Sequence, residues 1–198
     1  MKKIFFALIL SSIGIVGYAY INITPTPALS SSWVFPVWGK KSNIGSFWGD
    51  FRDGGKRNHE GIDIFAKKGT PVVAVYDGVI VSKSTTPLGG KNLWLQSFRY
   101  PLRAYYAHLD QQKVQPGQFV KKGQVIGTVG NTGNAKYSPS HLHFGIYKSL
   151  GGAIDPLPYV KHSPKITTTA ATKPIKQSVV VKIEDRNQAS MAETETTR

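Results

Sequence analysis

The sequence predicts a mostly β fold, a compact antiparallel domain built as a small sandwich or open barrel. Three observations predict it. Between Trp33 and Val160, short runs rich in Val, Ile, Tyr and Phe alternate with Gly, Pro and Asn punctuation. No long stripe at the 3.6-residue helical period appears among them. The one helix expected is an apolar segment at the N-terminus, and the residues after Val160 carry too few apolar side chains to build a core.

Taken in order, the chain opens with "MKKIFFALILSSIGIVGYAYINI". Two lysines precede an uncharged stretch from Ile4 to Ile23, the layout of an export signal. Gly17 and Ala19 offer a cleavage site before Tyr20, and the stretch is also about long enough to anchor the chain in a bilayer. Residues 1–23 are therefore read as a signal peptide or signal anchor that contacts the membrane and exports the rest. Residues 24–32, "TPTPALSSS", form a Pro/Ser linker. The domain follows over 33–160, with strands expected in "GIDIFA", "TPVVAVYDGVIVSK", "KNLWLQSF", "RAYYAHL", "GQVIGTVG" and "HLHFGIY". "YDG" reads as a tight turn between two strands. Residues 161–198, rich in Thr, Ala, Lys and Glu, are expected to be a disordered tail, with His162 at its start carrying no function.

The composition limits the chemistry. None of the 198 residues is cysteine, so disulfides and thiolate metal sites are excluded and any metal must be held by His, Asp or Glu. The net charge of +14 suits an anionic envelope polymer. The positive charges lie singly and in pairs such as Lys40-Lys41 and Lys121-Lys122, with no long basic run and no RNA-binding aromatic motif, which argues against nucleic acid.

Four of the five histidines fall in the β region: His59, His108, His141 and His143. In "SPSHLHFGIY", His141 and His143 lie two apart on a strand, so both point to one face with backbones roughly 7 Å apart. A lone pair of this kind is usually structural; beside "NHEGID" it gains weight. A straight strand would hold His59 and Asp63 about 13 Å apart. For both to reach one metal the chain must fold back between them, and Gly61 supplies the conformational freedom for that turn. Glu60 would then point elsewhere. His59, Asp63 and one histidine of the pair make three protein ligands, and three ligands with a position left for water is the layout of a catalytic zinc site. The remaining histidine of the pair and His108, at the end of the apolar run "RAYYAHL", are placed to take the water's proton and to stabilise an oxyanion.

"HEGID", "YYAHLD" and "SPSHLHFGIY", three separated pieces in this order, resemble the lysostaphin-type zinc metalloendopeptidases, bacterial peptidoglycan hydrolases. The likeness covers roughly residues 35 to 159 and includes "VQPGQFVKKGQVIGTVGNTG". It implies a fold like the duplicated hybrid motif with Zn2+ in an open groove, His59, Asp63 and His143 as metal ligands, and His108 and His141 as the catalytic pair. It also implies peptidoglycan as substrate, in the cell envelope, from the periplasm or from an inner-membrane anchor facing it. The segment "NTGNAKYSPSHLH" is longer than the family's usual loop there, and that bears on substrate preference. The alternative reading is a catalytically inactive wall-binding regulator of other hydrolases. Such relatives lose metal ligands, whereas all five functional positions are filled here.

Overall fold

The computed structural model describes residues 33–167. The export segment, the linker and the tail beyond Thr167 lie outside the described residues. Twelve strands form: β1 (Asn43–Ser46), β2 (Phe51–Arg52), β3 (Arg57–Asn58), β4 (Ile62–Phe65), β5 (Pro71–Val73), β6 (Gly78–Thr86), β7 (Gly90–Ser97), β8 (Leu102–Gln112), β9 (Phe119–Val120), β10 (Val125–Val129), β11 (His141–Lys148) and β12 (Ala153–Ile154). A single turn of helix, α1 (Leu157–Val160), follows. Ten strands make one antiparallel sheet along the path β1-β4-β11-β8-β7-β6-β9, with β10 joining both β5 and β8, and β12 beside β11. β2 and β3 form a separate small hairpin. The mostly antiparallel β class read from the sequence is the class observed. "YDG" does lie between two strands, β5 and β6, but these do not pair with each other: β5 pairs with β10, and β6 with β7 and β9.

The two-residue period of the strands decides which side chains meet. Along β11, Leu142, Phe144 and Ile146 are fully buried in the core, which leaves His141 and His143 on the opposite face. Along β4, Ile62 and Ile64 enter the same core and Asp63 faces away with the histidines. β8 begins in step, with Leu102, Ala104 and Tyr106 buried in the core, but its next core residue is Leu109, not residue 108. A bulge resets the alternation there. His108 adopts φ 60°, in the left-handed region, and turns out of the core. It sits where β8 changes partner, from β11 at Ala107 to β10 at Leu109.

The packed body does not end at Val160, where the sequence places the start of the tail. Tyr159 stacks on the fully buried Trp33, ring centroids 5.0 Å apart. Beyond it, Phe35 N–H donates to Pro164 O and Gly39 N–H to Ile166 O. Lys165 Nζ lies over the Phe35 ring and donates to Ser42 O. Residues 163–166 thus brace the irregular segment, residues 35–42, that leads into β1. A low apolar content hid this, because the brace is made mostly of backbone hydrogen bonds.

These contacts predict a boundary that melting can locate. Backbone hydrogen bonds are worth about 1 kcal/mol each, and each kcal/mol moves the melting temperature of a domain this size by roughly 2–6 °C. A chain ending at residue 162 is expected to melt at least about 5 °C below one ending at residue 167. Equal melting temperatures would show that the brace contributes nothing.

Candidate metal centre and groove

Asp63 and His143 are direct cross-strand partners on β4 and β11, the antiparallel position where side chains lie closest. His59 reaches them because the chain bends between β3 and β4, and its backbone is held by hydrogen bonds of 2.9 Å to the segment at Gly49 and Asp50. The result is a triangle of donor atoms. His59 Nε2 lies 2.9 Å from His143 Nδ1 and 3.1 Å from Asp63 Oδ1, and His143 Nδ1 lies 3.1 Å from the same oxygen. Bonds of about 2.0–2.2 Å around a tetrahedral zinc put ligand atoms roughly 3.3 Å apart, so the triangle has the size such an ion needs.

The donor chemistry fits as well. His59 Nδ1 lies 2.8 Å from Phe47 O and can only donate there, which leaves Nε2 as a lone pair facing the triangle. Burial works against the charge of Asp63, but the hydrogen bonds and positive charge that the His143 and His59 imidazoles offer it when protonated outweigh burial and hold the carboxyl well below the usual carboxylate range, so it stays an anion ready to meet a cation. Burial pushes the His143 imidazole the other way, toward its neutral, ligating form, against the pull of Asp63. These three residues can hold a metal ion.

Gly61 serves this centre in a way the sequence reading did not anticipate. Its φ is not in the left-handed region, so the turn does not require glycine. What requires it is close approach: a Cβ there would stand 2.7 Å from the His143 ring and 2.7 Å from Phe144 O.

The two other histidines flank the triangle. His141 Nε2 lies 4.0 Å from Asp63 Oδ1, and the His108 and His141 rings are 4.9 Å apart. Both are buried. Each is fixed by a carbonyl: His108 Nδ1–H donates to Thr132 O at 2.9 Å and His141 Nδ1–H to Pro139 O at 2.8 Å. With Nδ1 so engaged, each neutral ring presents a bare Nε2 lone pair. Burial, with repulsion from His141 and His143, lowers the His108 pKa to about 4, so this ring is unprotonated at neutral pH.

Thr132 is a residue the sequence did not single out. Its hydroxyl donates to Leu109 O and accepts from Lys91 N–H, which pins the carbonyl that orients His108. Gly90 and Gly133 permit the tight packing behind it, since a Cβ on Gly133 would lie 2.3 Å from Gly90 N. Arg52 was missed too: its Nη2 donates to Asp63 Oδ2 at 2.7 Å. The basic and polar letters of "FRDGGKRN" gave no sign of which one reaches the centre. Glu60 points at the Tyr147 hydroxyl, 3.4 Å away.

The five residues line an open groove of about 860 Å³. Phe51, Leu88, Tyr105 and Tyr147 form part of its walls, and the loop before β11 contributes Asn134 and Pro139. Phe51 and Leu88 are largely exposed, so the rim offers apolar surface to a bound chain.

Comparison with known proteins gives consistent results. Residues 57–156 match the profile of Peptidase family M23. The chain is 39% identical over 127 residues to the L-Ala--D-Glu endopeptidase of Bacillus subtilis, covering 59% of this chain and 39% of that one. It is 37% identical over 139 residues to the murein hydrolase activator NlpD of Salmonella dublin, covering 69% of this chain and 33% of that one. The chain therefore spans well under half the length of these curated relatives. Among solved structures, it resembles the catalytic domain of lysostaphin from Staphylococcus simulans (34% identity, TM-score 0.55, 60% of this chain and 92% of that one). It also resembles a zinc-containing peptidase from Vibrio cholerae (27% identity, TM-score 0.57, 67% and 41%).

The packing at Gly61 yields a test of the centre. Gly61→Ala must displace the His143 ring or the Phe144 backbone. Zinc affinity, measured by titration against a chelator, is expected to fall at least about tenfold, the scale of lost ligand support. Undiminished affinity would mean that His143 is not held where the centre needs it.

Proposed function

The chain belongs to peptidase family M23, and from that footing we propose that it is a zinc-dependent endopeptidase that hydrolyses a peptide bond in the cross-links or stem peptides of peptidoglycan. The observation that carries the reading is the triangle of buried His59 and Asp63 with half-buried His143, beside two imidazoles whose Nε2 atoms are free. His59 Nε2, His143 Nδ1 and Asp63 Oδ1 would hold the zinc, which when bound supplies Lewis acidity, acidifying a water and polarising the scissile carbonyl. His141 takes the proton of the attacking water at Nε2, and its Nδ1–H, donated to Pro139 O, keeps that nitrogen ready. The proton so taken goes on to the departing amine, and His108, whose bare Nε2 stands beside His141 with ring centroids 4.9 Å apart, is the second group that can carry it across the groove. The αL backbone at His108 holds this ring over the groove. Such strain is tolerated where the surrounding structure fixes it, and here the Thr132 carbonyl does so.

The substrate reading is supported by relatives named L-Ala--D-Glu endopeptidase and glycyl-glycine endopeptidase. The place of action is the cell envelope, reached by export, at the periplasmic face in solution or on an anchor. The net charge of +14 supports adsorption to an anionic envelope polymer there. A regulator that does not cut is the second reading, favoured by the likeness to an activator of murein hydrolases. The five filled positions weigh against it. Digestion of sacculi by the purified chain alone decides between them: new muropeptides identify an enzyme, whereas stimulation of another hydrolase without products identifies a regulator.

The roles of the two neighbouring histidines separate by substitution. His143→Ala is expected to lose both zinc and activity. His141→Ala is expected to keep close to one zinc per chain and to lose activity by about 10² or more, the scale of a positioned acid-base group. Metal content and sacculus-clearing rate read the two outcomes, with circular dichroism to confirm folding. If His141→Ala were the zinc-free variant, the assignment would be reversed.

A further inference from the structure

Arg52 lies outside the set of metal ligands and proton carriers, yet its guanidinium is built into the centre. It sits on β2, in the small hairpin that closes through Asp53, Gly54 and Gly55, all at positive φ. The hairpin is fixed to the body: His59 N–H donates to Asp50 O and Gly49 N–H to His59 O. From it, Arg52 Nη2 donates to Ser46 Oγ and to Asp63 Oδ2. The Ser46 hydroxyl donates in turn to Asp50 Oδ2 at 2.8 Å, and Phe47 N–H donates to the same oxygen. A chain of hydrogen bonds thus runs from Asp50 through Ser46 and Arg52 to the ligand carboxylate.

Arg52 Nη2 carries two hydrogens and has two oxygen acceptors, Ser46 Oγ and Asp63 Oδ2. Its 2.8 Å approach to His59 Nδ1 is then a close contact between two donor nitrogens and not a hydrogen bond, and Nδ1 keeps its proton for Phe47 O. The two oxygens of Asp63 then have separate tasks. Oδ1 lies 3.1 Å from both ligating histidine nitrogens, while Oδ2 is occupied by Arg52 at 2.7 Å. Asp63 is nearly inaccessible, its side chain 8% exposed, so water does not compete for Oδ2.

We infer that Arg52 is a positioning residue that commits Asp63 to a single ligating oxygen, with Oδ2 held off the metal and a coordination position kept free for substrate. This inference rests on the zinc reading of the same centre. A free carboxylate rotates and can offer both oxygens to a cation. An arginine hydrogen-bonded to one of them removes that choice, and outer partners of this kind commonly change metal affinity or activity 10- to 100-fold, on the order of what is expected here.

The decisive variant is Arg52→Met in the full chain, which keeps an unbranched stem in place of the aliphatic part of the side chain and removes its charge and donors. Removing a positive charge beside a cation site would by itself tighten zinc binding. Weaker binding therefore isolates the loss of positioning. The expected results are a zinc dissociation constant raised about 10- to 100-fold and an extra oxygen neighbour in zinc X-ray absorption as Oδ2 joins the ion. Alongside these, kcat is expected to fall with KM little changed. Zinc bound as tightly as in the parent, or more tightly, with an unchanged oxygen count would overturn the inference. If the parent chain itself binds no zinc, the metal reading falls and this one with it. If Arg52→Met does not fold by circular dichroism, Arg52→Lys carries the same readouts. It retains the charge but replaces the planar fork by a single ammonium, and the shifts in affinity and oxygen count are expected in the same direction.

Discussion

Everything in this site depends on one register: Asp63 of β4 stands directly opposite His143 of β11. A one-residue slip of β4 against β11 would turn Asp63 into the core, away from His143, and bring Ile62 or Ile64 out to the groove. The slip is blocked by the buried side of the same strands, where Ile62, Ile64, Leu142, Phe144 and Ile146 are fully enclosed. The hydrophobic core thus sets the geometry of a polar centre that it does not touch. The few tenths of an ångström that metal ligation demands come from packing on the far face of the sheet.

A second layer of control is made of carbonyls. Four imidazoles crowd one groove, and an imidazole with its proton on the wrong nitrogen is useless for its task. Phe47 O, Thr132 O and Pro139 O each take one Nδ1–H, so that His59, His108 and His141 all turn Nε2 to the centre. None of these carbonyls belongs to a named strand; they lie in the loops that border the groove. Loop conformation is therefore part of the chemistry here, and Gly133 and Gly90 matter because they let two such loops press together.

Much of this was legible in the sequence, for identifiable reasons. Strand content and the shared face of His141 and His143 follow from a two-residue period, which is local. The meeting of His59, Asp63 and the "HLH" strand could be expected because so few residue types were available to hold a metal. Three features were not legible. The brace by residues 163–166 is made largely by backbone atoms, which leave no trace in side-chain composition. The role of Gly61 is set by a ring from a strand more than 80 residues away, so reading it as a flexible turn was the local answer to a non-local question. Arg52 and Thr132 act through single hydrogen bonds across the fold, and nothing in their own neighbourhoods marks them.

The energetics of the groove bear on whether the chain cuts or only binds. Gathering a carboxylate and three imidazoles at under a tenth exposed, with a fourth imidazole half-buried beside them, is expensive without a cation to bind. Buried charge and unpaired lone pairs commonly cost several kcal/mol. The αL backbone of His108 adds about 1–3 kcal/mol more. A domain whose only task was to dock on another hydrolase would gain stability by filling these positions with apolar side chains, as the core just beneath them is filled. The cost is instead concentrated at the five positions that hydrolysis would use, and it is maintained by Arg52, Thr132 and Gly61 around them. Strain and buried polarity arranged in this way are what a preorganised active site requires, and a passive binding surface has no need of them.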